Sequence, residues 1–229
     1  MSMTRFPGGL STRKSTDALG GYTHPDPTDQ HLFMDDFNIY AAANWTVTLV
    51  GTGTAAIVNG DGGILALATT GANNDAVSLQ KTGEAFTFET GKPAWFKTRF
   101  KVSALTSVVL AGLQITDTTP EDVTDGIYFL TTTGTGAVTL YVRRNATTGS
   151  ASLAVGTLVA DTYTELAWYW DGKDTVSAWQ DGVQKGSITG VAASYLPDAN
   201  TTISFAARTT TAAIKTASFD YIFASKSPR

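Results

Sequence analysis

Apolar and polar residues alternate with a period of two along most of the chain. The alternation is clearest from Tyr163 to Ile188, YTELAWYWDGKDTVSAWQDGVQKGSI, where two Asp-Gly pairs interrupt it, Asp171-Gly172 and Asp181-Gly182. Residues two apart share one face of a strand. Leu166, Trp168 and Trp170 therefore form one face of the run Tyr163–Trp170, and Tyr163, Glu165, Ala167 and Tyr169 the other. Asp and Gly accept positive φ at low cost and fit the primed turns of tight hairpins. The pattern predicts an antiparallel meander of Tyr163–Trp170, Thr175–Gln180 and Val183–Ile188.

The same period recurs elsewhere. Strands are expected at His31–Phe37, at Trp45–Val50 (Trp45, Val47 and Leu49 against Thr46 and Thr48), at Ile64–Ala68 and at Ala76–Gln80. In Trp95–Val102, Phe96, Phe100 and Val102 share a face with Thr98, while Trp95, Lys97, Arg99 and Lys101 occupy the other. An apolar inner face with a cationic outer face is what a sandwich strand requires. Ser107–Ile115 is continuously apolar and reads as a central strand, followed by a polar loop, Asp117–Asp125, containing Pro120. Ile127–Thr131 and Ala137–Arg143 form a hairpin pattern, Leu153–Val159 a weaker strand, and Thr202–Ala207 and Thr216–Phe223 close the domain. Roughly a dozen short strands, turn signals between them and no convincing helix predict an all-β sandwich or jelly roll. No internal repeat is apparent, which argues against propellers and solenoids.

Residues 1–30 differ from the rest. They hold Pro7, Pro25 and Pro27, the pairs Gly8-Gly9 and Gly20-Gly21, and no apolar periodicity. X-Pro and Gly-Gly favour extended or turning backbone. The division expected is an extended arm, 1–30, and a sandwich domain, 31–229. Phe6, Leu10, Leu19 and Tyr22 are isolated apolar anchors, and Arg5, Arg13 and Lys14 make the arm basic on an otherwise acidic chain. A segment of this kind is expected to order where a partner supplies contacts, with Arg5, Phe6, Leu10, Arg13 and Tyr22 leading.

Composition narrows the classes. The 229 residues suffice for one well-buried domain. A net charge of −4 disfavours nucleic acid as a partner. The lack of cysteine removes disulfides, thiolate metal sites and Cys nucleophiles. No apolar run approaches the roughly 18 residues of a membrane span, and no h-region marks a secretory signal, so cytoplasmic synthesis is expected. Only 16% of residues are charged, which suits either a surface spent on neighbours or an ordinary Thr-rich β domain.

Asp35-Asp36-Phe37, Trp95–Val102, Trp168–Gly172 leading into Thr175–Gly182 (with Trp179-Gln180-Asp181-Gly182) and Phe219–Phe223 together resemble a concanavalin A-like (laminin-G-like) jelly roll. The layout, with TRFPGGLSTRKSTDALGGYTHPDP preceding the domain, also resembles capsid-associated structural proteins of tailed bacteriophages. That second resemblance implies a virion location, the major capsid protein as partner, and a role in decorating or cementing the head. A homotrimer would match a three-fold site on the shell.

The chemistry read from the residues is sparse. Many domains of the first family bind glycans, and Trp95, Tyr169 and Trp179, with Lys97 and Arg99, are the candidate glycan or subunit-interface face. A glycan-binding module of a phage tail or fibre is therefore the alternative, and a glycoside-active enzyme the alternative outside binding modules. Glucanases of this fold place carboxylates as Glu-x-Asp-x-x-Glu on one strand, and no such segment occurs. His24 and His31 lack a metal spacing, and His31 reads as a packing residue. Asp61, Asp171 and Asp174 serve equally as turn formers or calcium ligands. The expectation is a non-enzymatic protein without cofactor or metal.

Overall fold

The structure is a computed structural model that describes residues 30–145 and 150–227. Among the described residues fifteen strands follow one another: β1 His31–Asp35, β2 Trp45–Val50, β3 Thr54–Val58, β4 Ile64–Ala68, β5 Ala76–Lys81, β6 Ala94–Val102, β7 Ser107–Gln114, β8 Gly126–Thr131, β9 Ala137–Arg143, β10 Ala151–Thr157, β11 Thr164–Trp170, β12 Val176–Gln180, β13 Val183–Ile188, β14 Thr202–Thr209 and β15 Thr216–Lys226. Among the described residues helical turns are confined to α1, Val191–Ser194, and two 3₁₀ segments at Ala42–Asn44 and Pro120–Asp122.

Two antiparallel sheets face each other as a jelly-roll sandwich. The first runs β13-β12-β11-β6-β15-β4-β3, with β1 paired to the second half of β15. The second runs β10-β9-β8-β7-β14-β5-β2. Alternation fixes which side chains enter the core. In β6, Phe96, Thr98, Phe100 and Val102 point inward, and in β11 Leu166, Trp168 and Trp170 do the same, all buried. Phe96 stacks on Trp168 with centroids 5.8 Å apart, and Phe205 of the second sheet meets Phe219 of the first at 4.9 Å. Each such ring contributes about 1.5–3 kcal/mol by leaving water.

The meander forms with Asp181 and Gly182 both at positive φ, 52° and 75°, as a primed turn demands. Asp171 caps a longer connection: its Oδ1 accepts from the backbone N–H groups of Lys173, Asp174 and Thr175 at 2.7, 2.9 and 3.0 Å. Partial burial pushes its carboxyl up, but these donors outweigh burial and hold it below its ordinary value.

The observed strands depart from expectation in identifiable places. β3 was not anticipated, because Gly51-Thr52-Gly53 and the small residues Ala55 and Ala56 hide its alternation. Val47 and Leu49 face inward beside Leu79 and Val77 as the pattern requires, yet they stay 40% and 45% exposed because β2 is the last strand of its sheet. His31 packs its ring edge-on against Phe86 at 4.3 Å. The arm residues Arg5, Phe6, Leu10, Arg13 and Tyr22 lie outside the described residues.

Candidate functional site

The sandwich has two outer faces. The face of the first sheet gathers all five residues of the glycan or interface set. Register places Ala167 of β11 between Trp179 of β12 and Lys97 of β6, and Trp95 directly opposite Tyr169. The rings of Trp95 and Tyr169 lie 5.3 Å apart. Lys97 Nζ is 2.8 Å from Glu165 Oε2, and the Tyr221 hydroxyl donates to the same oxygen at 2.6 Å. Burial, then this hydrogen bond, pushes the Tyr221 hydroxyl well above its ordinary value. Arg99 pairs with Asp220 and lies 4.2 Å from the Tyr163 ring centroid. Trp95 is only 9% exposed. The rings that alternation turns away from the core thus pack into a second, smaller apolar cluster with Tyr169, Trp179 and Phe223, and the cations beside them are held by carboxylates.

The outer face of the second sheet is built differently. The segment 116–125 leaves β7, rises over the sheet and returns as β8. Its Val123 is fully buried against Leu110, Tyr128 and Ala206 on the sheet surface. Beneath it Gly112 lets β7 and β8 approach closely, because a Cβ there would stand 2.4 Å from Tyr128 Cα. Polar side chains pin the segment as a strap. Gln80 of β5 accepts from Asp117 N at 2.9 Å and donates to Ile115 O at 3.0 Å. Gln114 of β7 donates to Pro120 O at 3.1 Å, and Arg143 of β9 to Val123 O at 3.1 Å. Arg208 of β14 grips Glu121 with both prongs, Nε–Oε1 2.6 Å and Nη2–Oε2 2.7 Å, and donates to Asn74 Oδ1 at 3.0 Å. Bidentate guanidinium–carboxylate pairs fix geometry as well as charge.

Between the strap and the sheet edge lies a pocket of about 310 Å³. Thr48 and Val50 of β2 and Ala76 and Ser78 of β5 form its floor; Thr118–Asp122 and Arg208 form its walls. The volume falls at the lower end of the roughly 300–1,000 Å³ common for small-ligand sites. Hydroxyls, a fixed Arg–Glu pair and apolar patches line it together, which is the mixture a sugar presents in complement: hydroxyls around a ring with apolar C–H faces. None of these residues belongs to the set read from the sequence. Two signals mark them in retrospect: Pro120-Glu121-Asp122 inside an inter-strand loop, and Arg208 as the single charge in the apolar and hydroxyl run Thr202–Thr211.

Among the described residues, no group of three His, Cys, Asp or Glu side chains is placed to hold a metal. Asp174, a candidate calcium ligand, instead accepts from Gly190 N at 2.9 Å and Ala192 N at 3.1 Å.

Comparison with known proteins places the architecture. No family model and no curated protein matches the chain. Solved structures do. An endo-1,3-β-glucanase from Streptomyces sioyaensis is 12% identical, with 90% of this chain and 99% of that one covered and a TM-score of 0.64. Peanut lectin is 11% identical over 86% and 97%, TM-score 0.61. A protein of unknown function from Shewanella oneidensis is 18% identical over 92% of each chain, TM-score 0.60. At these identities the likeness establishes the fold, a concanavalin A-like jelly roll shared with lectins and glucanases. It also corrects the expectation of a protein without catalysis. Glucanases at 12–15% identity stand among the fold neighbours, so the lack of one local carboxylate motif does not remove glycoside chemistry from consideration. The capsid reading draws no support here, since none of these structures is described as a virion protein.

Proposed function

We propose that this chain is a carbohydrate-recognition domain that seats a sugar in the pocket between the strap and β2. The observation that carries the reading is the pocket itself: a concave site on a sheet face, floored by Thr48 and Ser78 and walled by the Arg208–Glu121 pair, on a fold common to lectins and glucanases. Arg208 and Glu121 fix one another, so their remaining hydrogen-bonding capacity is pre-oriented and little side-chain freedom is lost when a ligand arrives. A hydrolytic reading is favoured by one further observation, that Glu121 and Asp122 put two carboxyl groups in the pocket wall. Glu121, ion-paired through both oxygens to Arg208, would serve as the base to a bound glycoside and Asp122 as the acid.

The test is a printed glycan array, followed by calorimetry on the hits and a reducing-sugar assay on β-1,3- and β-1,3-1,4-glucan. Ser78→Trp fills the pocket from its floor, and Arg208→Lys keeps the charge but loses the fork. Each is expected to weaken binding at least about tenfold, the order of a lost central contact, while still unfolding as one cooperative transition. An array without hits, or hits unaffected in both folded variants, overturns the reading. Release of reducing ends that Glu121→Gln abolishes assigns the hydrolytic form.

A further inference from the structure

The geometry points to recognition of the end of a glycan chain rather than of its interior, an inference that rests on the carbohydrate reading above. A sheet face that binds the middle of a polysaccharide must leave a groove open at both ends. Here the strap closes the face. Its contacts run from Gln80 on β5 through Arg208 on β14 and Gln114 on β7 to Arg143 on β9, so it crosses most of the sheet's width. Val123 packs it onto Leu110, Tyr128 and Ala206 and is fully buried there. The pocket is therefore bounded on the strap side.

Along the strands, side chains beyond the lining residues tie the strap down over the sheet. At one end Gln80 holds Asp117 and Ile115, and at the other Arg208 reaches across to Asn74. The remaining side is β2, the last strand of the sheet, where Val50 is 52% exposed. A chain can enter over this edge, but it meets the strap and stops. The volume of about 310 Å³ agrees with a blind pocket of this kind. The terminal residue would contact Ser78 and the Arg208–Glu121 pair, and the next would lie over Thr48 and Val50 toward solvent.

The experiment uses the full chain and an array in which each terminal sugar is presented on several different inner chains, followed by calorimetry on oligosaccharides of increasing length that carry the preferred terminus. Hits are expected to sort by terminal residue, and affinity to change by less than about threefold along the length series, under 1 kcal/mol. Binding that sorts by internal linkage, or tightens steadily with length, overturns end recognition while leaving the carbohydrate reading in place. An array without hits removes both. Moving the terminal preference with Arg208→Lys, the variant still unfolding as one cooperative transition, ties the specificity to this pocket.

Discussion

At the residue scale, the most consequential charges sit where a lysine is buried and must be paired. Lys226, at the end of β15, has a side chain only 8% exposed, and Glu89 answers it at 2.6 Å while also holding Lys92 at 3.1 Å and accepting from the Thr87 hydroxyl at 2.9 Å. Hydrogen bonds from Lys226, Lys92 and Thr87 carry the Glu89 carboxyl down to about 2 from an ordinary 4.5. A carboxyl whose folded value is depressed binds fewer protons in the native state than in the unfolded one. Its contribution is therefore complete above about pH 4.5 and is lost as pH falls toward 2. Melting curves of the unaltered protein and Glu89→Gln should differ at pH 6 and converge near pH 2. A gap between them that does not narrow over this window shows that Glu89 acts by packing and not by charge. The same logic explains why Arg208 and Glu121 are fixed in the pocket wall: each is held by a partner of opposite sign, and neither samples the rotamers a free surface side chain would.

At the element scale, the hairpins were legible in the sequence and the strap was not. The turn at Asp181-Gly182 is written in two adjacent residues that tolerate positive φ, and Asp181 adds a contact that no neighbour could supply: its Oδ1 accepts from Glu165 N at 2.8 Å. Asp181→Ala loses both the left-handed tolerance and that bond, and should cost about 1–2 kcal/mol. Asp181→Asn keeps much of each and should cost less, as chemical denaturation will report. Equal losses would mean that the turn is set by Gly182 alone. The inner faces of β6, β11 and β15 were legible for the same reason, since alternation between core and surface is a local pattern. The outer face of the first sheet followed by subtraction, which is how Trp95, Lys97, Arg99, Tyr169 and Trp179 come out on one surface. The pocket could not be found that way. Its floor comes from β2 and β5, its pair from β14 and the 3₁₀ turn, and Arg208 and Glu121 are 87 residues apart in the chain. Only the sheet order β14-β5-β2 brings them together, and sheet order is not a local pattern. β3 was missed for a related reason, because it is an edge strand that buries little and so carries little alternation.

At the scale of the whole molecule, the two ends of the sandwich are unlike. At one end β10 and β13 close on each other across the sheets. Gln180 of β12 donates to Thr157 O at 3.0 Å, and Gly186 approaches Leu153 so closely that a Cβ would come within 3.0 Å of it. Both strands there carry a register shift in their pairing, and β13 carries Lys185; bulges and lysines keep an edge from pairing further. At the other end β2 and β3 hold no charged residue and pair regularly with their single neighbours. Their inward-facing Val47, Leu49 and Ile57 remain 40–45% exposed. Fewer apolar contacts and a ladder on one side only mean that local opening there costs less than global unfolding. Hydrogen exchange should therefore show β2 and β3 amides exchanging well before those of β7 and β14, with β10 and β13 slower than β2 and β3 although all four are edges. Saturating the protein with a bound glycan should slow β2 selectively, because it forms the pocket floor. If β2 and β3 are already as protected as β7 and β14 without ligand, the end is covered in solution, and dilution will tell whether by a second copy: protection that falls with concentration requires one, and protection that does not requires cover from within the chain.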